Sequence, residues 1–125
     1  MIICEYVQHV SLAVTDLTSA RRFYKKVLGL QEIERPNFHF PGTWFAIGAQ
    51  QLHLIVNPRA QTLREIPTID SMESHFAIRI ANYDAAIRHL SSIGVPFVAN
   101  PGSATGWKQI YVCDPDGNVI ELNSL

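Results

Sequence analysis

Three histidines and one glutamate carry the chemistry worth pursuing in this chain: His9, His53, His75 and Glu121. His75 follows His9 by 66 residues and Glu121 follows His53 by 68, so the four fall at two places of a pattern written twice. Three imidazoles and a carboxylate are a donor set for a borderline divalent cation such as Zn²⁺, Ni²⁺, Co²⁺, Mn²⁺ or Fe²⁺, and the lack of sulfur argues against a structural zinc knuckle. One such ion per site would act as a Lewis acid. Glu121 is the only carboxylate of the four, which makes it the candidate for proton transfer as well as ligation. A lone histidine in a strand is usually a hydrogen-bonded structural residue; repeat-equivalent placement is what singles these out. His39 and His89 fall outside the pattern.

The elements that must hold these residues repeat in the same order. Val7–Val14 reads as an apolar strand containing His9, and Thr15-Asp16 follows as a helix N-cap signal. Leu17, Ala20, Tyr24, Val27 and Leu28 then recur at helical spacing up to Gly29, placed for a left-handed cap. Strands are predicted at about Gln31–Arg35, Thr43–Ile47 and Gln51–Val56. The second half repeats this. Ser74–Ile80 is a strand with His75, Asn82 caps a helix with Tyr83, Ala86, Ile87, Leu90 and Ile93 on one stripe, and Gly94 closes it. Strands follow near Val95–Ala99, Lys108–Cys113 and Asn118–Asn123, the last two joined by the turn Asp114-Pro115-Asp116-Gly117-Asn118. The reading is two βαβββ modules, about 5–57 and 73–124, joined by a polar surface linker over 58–72. Neither module is large enough to bury its apolar face alone, so the halves share a structure or pair with another chain.

Alternation along the strands separates their faces. Val10, Leu12 and Val14 oppose His9, Ser11 and Ala13; Leu52, Leu54 and Val56 oppose Gln51, His53 and Ile55. Phe76, Ile78 and Ile80 oppose His75, and Ile120 and Leu122 oppose Val119, Glu121 and Asn123. In each strand the large apolar set can cover a helix, and the opposite face carries one ligand type. If the two sheets close into a cup, the four donors could gather at one point. Arg35, Phe38, Phe40, Trp44, Trp107 and Tyr111 lie on or beside strands that would line it, and an arginine among aromatics suits a small anionic, partly apolar ligand. For Trp44 and Tyr111, a core or dimer contact is the competing reading.

Composition excludes several classes. At 125 residues, with 47% hydrophobic and 17% charged residues, the chain is one ordinary globular unit. A net charge of −1 argues against a nucleic-acid partner, and no apolar run approaches the ~20 residues that span a bilayer. The start Met1-Ile2-Ile3-Cys4-Glu5 lacks a signal-peptide pattern, and Cys4 and Cys113 lie far apart. Reduced thiols in a cytoplasmic protein are the expectation.

The stretches HVSLAVTDLTSARRFYKKVLGL, QLHLIVN, SHFAIRI and YVCDPDGNVIEL resemble the vicinal-oxygen-chelate superfamily, which includes glyoxalase I, fosfomycin-resistance enzymes, extradiol dioxygenases and bleomycin-resistance proteins. The resemblance implies an α+β fold, with two paired βαβββ modules forming a cupped mixed sheet, and a homodimer acting on a small molecule. It places His9, His53, His75 and Glu121 at the four metal positions. It also implies a metal-dependent lyase or isomerase acting on a small oxygen-chelating substrate, the metal stabilising an oxyanion as it develops, with an extradiol-type dioxygenase or a drug- or metabolite-binding resistance protein as alternatives. Two departures stand out. Glyoxalase I has a glutamate where this chain has His53, and Ala13 replaces an arginine often found in glutathione-using relatives. Asn57, four residues after His53, matches the asparagine of those relatives and so joins Arg35, Trp44 and Tyr111 as a candidate substrate contact.

Overall fold

The computed structural model describes residues 1–125. Its first module runs β1 (His9–Val14), α1 (Leu17–Arg22), β2 (Gln31–Ile33), β3 (Gly42–Ile47) and β4 (Gln50–Val56). Its second runs β5 (His75–Arg79), α2 (Tyr83–Ser92), β6 (Val98–Asn100), β7 (Lys108–Cys113) and β8 (Val119–Ser124). The fold is α+β, two βαβββ modules, as the repeat predicts. No helix is long and apolar enough to cross a membrane.

The helix ends follow from their capping residues. Asp16 accepts a hydrogen bond from the Ser19 amide at 3.1 Å, and Asn82 accepts one from Ala85 at 2.9 Å, each satisfying a free donor of the first turn. Gly29 and Gly94 stop the two helices with φ of +69° and +72°, a conformation that costs glycine little. One feature is absent from the periodicity. Beyond Arg22 the helix widens into a π-type turn over Phe23–Val27, with the Leu28 amide bonded to the Phe23 carbonyl at 3.2 Å. A regular helix turns about 100° per residue; the wider turn reduces that angle, and the consecutive Phe23 and Tyr24 are both buried.

Each module forms a four-stranded sheet in which the first and fourth strands are parallel neighbours, in the orders β1-β4-β3-β2 and β5-β8-β7-β6. Three strands are displaced from their predicted bounds by two residues or more. The first begins at His9, leaving Tyr6 and Val7 exposed and unpaired. The second stops at Ile33, short of Pro36. The sixth begins at Val98, because Pro96 has no amide to give to a ladder.

A shared core holds the modules together, with Leu52 and Leu54 from one sheet joining Ile120 and Leu122 from the other, as the alternation predicts. The turn between β7 and β8 adds a polar joint. Tyr24, fully buried, donates its hydroxyl proton to Asp114 Oδ2 at 2.8 Å, and Asn118 Nδ2 donates to the Ala13 carbonyl at 3.0 Å. Thr15 donates its amide and hydroxyl to the two carboxylate oxygens of Asp116. Asn57–Ser74 contains neither helix nor strand, and Arg64 straps it to the same turn by donating to the carbonyls of Thr68 and Gly117 at 2.8 and 3.0 Å.

Candidate metal centre

The strand pairing sets the donors out identically in both modules. His9 on β1 lies opposite Gln51, two residues before His53 on β4, and His75 on β5 lies opposite Val119, two residues before Glu121 on β8. Residues two apart on one strand share a face, so each donor has its partner as a diagonal neighbour on the sheet face turned from the helices. The topology thereby builds two pairs, His9 with His53 and His75 with Glu121.

In the first pair the rings stack, with centroids 4.1 Å apart. Trp44 lies directly opposite His53 on β3 and covers its other face, 3.9 Å away and within 3° of parallel. Gln51 Oε1 lies 2.8 Å from His53 Nε2, and Gln8 Oε1 2.5 Å from His9 Nδ1. Burial, and then the neighbouring His9 and Arg35, hold His53 below the usual imidazole pKa. At neutral pH it is therefore uncharged, the form in which imidazole binds a metal.

The second pair is polarised. His75 donates from Nδ1 to the Glu73 carbonyl at 2.8 Å, which turns Nε2 toward Glu121 Oε1 at 3.4 Å. A backbone acceptor on one ring nitrogen that leaves the other facing a site is how metal-binding histidines are commonly oriented. Burial pushes the Glu121 carboxyl up, but hydrogen bonds from Asn123, Tyr111 and Gln109 and the nearby His75 outweigh it, and the pKa falls below the usual value. Asn123 Nδ2 donates to Oε2 at 2.6 Å and the Tyr111 hydroxyl to Oε1 at 3.0 Å. An ionised carboxylate thus faces an imidazole nitrogen with no donor of its own unless that ring takes a second proton. A positive charge, proton or cation, is what the arrangement calls for, so the donor chemistry of both pairs fits a divalent metal.

The four donors do not meet within one chain: no three His, Cys, Asp or Glu side chains lie close enough to hold a metal. The other sequence-derived candidates divide. Trp44 stacks on His53 and Tyr111 touches both members of the second pair, its ring edge-on to His75 at 5.6 Å. Arg35 places its guanidinium over Phe38 and Phe40. Asn57 is exposed at the end of β4, with Oδ1 accepting from the Arg59 amide at 3.3 Å. His39 is exposed, and His89 Nε2 donates to the Val27 carbonyl at 3.0 Å, joining the two helices. Sequence reasoning passed over Gln51 and Asn123. Each stands two residues from a donor on the same strand face, which the alternation showed; their hydrogen bonds to those donors required the side-chain geometry.

Comparison with known proteins agrees with this architecture. The chain is 27% identical to "Glyoxylase I 4" of Arabidopsis thaliana over 119 residues, covering 93% of this chain and 68% of that protein. A glyoxalase family protein of Bacillus anthracis superimposes with a TM-score of 0.83 at 25% identity, covering 99% of this chain and 98% of that one. The fosfomycin resistance protein FosX of Listeria monocytogenes shares the fold with a TM-score of 0.77 at 21% identity, covering 98% and 95% of the two chains. With the family's sequence pattern matched over residues 6–122, nearly end to end, the chain belongs to the Glyoxalase/Bleomycin resistance protein/Dioxygenase superfamily.

Proposed function

We propose that the protein is a divalent-metal-dependent enzyme of lyase or isomerase type, acting on a small substrate with two neighbouring oxygens, and that two copies of the chain assemble each site. The division of the donors carries this reading. A zinc-like ion takes four donors, or three and an open position, and each pair supplies two. A second copy that sets its His75 and Glu121 against the first copy's His9 and His53 completes the set, and two-fold symmetry then forms two equal sites. The segment leading into His9 suits such an interface, since Ile2, Ile3, Tyr6 and Val7 are exposed apolar residues in the single chain.

The bound ion would polarise the substrate oxygens and lower the cost of negative charge there. The protein's own residues do the rest. His53, held neutral, and His75, whose Nδ1–H donates a hydrogen bond to the Glu73 carbonyl, keep ring lone pairs for ligation. Glu121 is ionised and accepts a proton from a substrate carbon beside a carbonyl. The C–H electron pair moves toward the carbonyl oxygen and returns as the proton is delivered to the neighbouring carbon. The Tyr111 hydroxyl holds Oε1 in place, and burial together with Glu121 raises its pKa, so it remains a donor throughout.

Elemental analysis of protein purified without added metal tests the site. The expected result is about one ion per chain, the count that two equal four-donor sites in a dimer give, with sharp loss in His9→Ala and Glu121→Gln and the dimer retained. Unchanged stoichiometric metal in both variants rejects the site. Turnover of methylglyoxal with glutathione, using Ni²⁺ or Zn²⁺, then tests the reaction. A loaded protein that is silent there but takes up oxygen with a catechol is a dioxygenase instead.

A further inference from the structure

The loop between β2 and β3 places a positive charge with no carboxylate partner beside the imidazole pair. The Arg35 guanidinium carbon lies 4.8 Å from the Phe38 ring centre and 5.0 Å from that of Phe40, and the two rings are themselves stacked 5.1 Å apart. Nη2 donates to the Phe40 carbonyl at 2.8 Å, while Nε is buried with no partner. No Asp or Glu lies within ion-pair distance of Arg35, although Arg21 and Arg64 each have one.

Its face is defined by Gly42. That residue shares a side of β3 with Trp44, the residue stacked on His53, and a Cβ there would come within 3.0 Å of Arg35 Nη2 while striking the Leu54 carbonyl. The head group therefore lies on the sheet face that carries His9 and His53, where glycine leaves room for it. Phe38 continues the contact toward Trp44, with ring centres 6.1 Å apart. Phe38 and Phe40 are each about two-fifths exposed, at 43% and 42%, so the charge sits within an apolar rim open to solvent.

A cation whose donors are only partly used, set in aromatic rings, recognises an oxyanion on an apolar body. We infer that Arg35, walled by Phe38, Phe40 and Trp44, binds an anionic group of the substrate, a carboxylate or phosphonate carried on a small apolar frame. This deepens the function proposed above by naming the substrate's charge, and it rests on that function only in taking the imidazole pair as the reacting end.

Calorimetric titration of the full-length protein with phenylacetate, benzylphosphonate and the uncharged phenylacetamide tests this, as purified and again after dialysis against a chelator. At least one anion is expected to bind about tenfold or more tighter than the amide, the scale of one charge-assisted pair, and the better anion identifies the group. Arg35→Met should bring the ratio to about one, and Arg35→Lys should recover part of it, because an ammonium keeps the charge without the planar fork. Equal affinity for anions and amide in the unaltered protein overturns the inference, as does a preference that survives Arg35→Met. A preference that vanishes with the metal also overturns it and leaves the metal site standing. An Arg35-dependent preference in protein found free of metal as purified sustains the anion site and sinks the metal reading.

Discussion

Asp114→Ala should destabilise the protein by ~2.5–6 kcal/mol, the sum of one buried and several partly solvated hydrogen bonds. Asp114 is 2% exposed and accepts four hydrogen bonds: from the Tyr24 hydroxyl at 2.8 Å, the Asp116 and Asn118 amides at 2.9 Å each, and Asn118 Nδ2 at 2.8 Å. Tyr24 has no exposed surface, so truncation strands its hydroxyl at ~1–3 kcal/mol. The turn's three remaining donors can reach water, at ~0.5–1 kcal/mol each. Tyr24→Phe removes one donor from a carboxylate that keeps three, and should cost only ~1–1.5 kcal/mol. Because the bond joins α1's extension to the β7–β8 turn, the double variant should be less destabilised than the sum of the singles, by ~1 kcal/mol. Urea unfolding at neutral pH and one protein concentration measures all four forms. An Asp114→Ala loss below ~1 kcal/mol, or strict additivity of the two changes, would refute the claim that this joint couples the modules.

Tyr111→Phe should weaken metal retention about tenfold, the lower end for loss of a group orienting a ligand, while leaving the fold intact; competition with a chromogenic chelator measures it. Glu32→Gln should destabilise by ~0.5–1 kcal/mol at neutral pH. Burial raises the Glu32 carboxyl, but hydrogen bonds from Thr43 and Arg21 bring its pKa below 4.5. A lowered pKa contributes stability above the ordinary value and loses it as pH falls through the folded one, so the two proteins should converge in acid denaturation curves. His89→Ala should leave metal content unchanged and cost ~0.5–1.5 kcal/mol for the hydrogen bond to the Val27 carbonyl, read by thermal unfolding alongside elemental analysis.

Much of the fold was legible because its signals are local. Asp16 and Asn82 announce helix starts, Gly29 and Gly94 announce ends, and each acts within a few residues of chain. Strand alternation sorted Leu52 and Leu54 from His53, and Ile120 and Leu122 from Glu121, because a pleated strand turns successive side chains to opposite faces whatever lies around it. Strand ends were less well marked: Val95–Ala99 looked apolar enough to pair, but a ladder needs the amide that Pro96 lacks. The repeat itself named His9, His53, His75 and Glu121, since equivalent positions are a property of residue spacing alone.

How those four divide was decided elsewhere. Spacing could not say that His9 stacks on His53 while His75 faces Glu121; that follows from β1 lying parallel to β4, and β5 to β8, pairings between strands separated by dozens of residues. Nor does the chain's order reveal that Arg35 folds back over Gly42 or that Tyr24 reaches Asp114, because both contacts depend on how loops and helices settle on sheets already formed. Types and periods are written along the chain; which side chains share a neighbourhood is set by long-range packing, where the interactions that determine it are made.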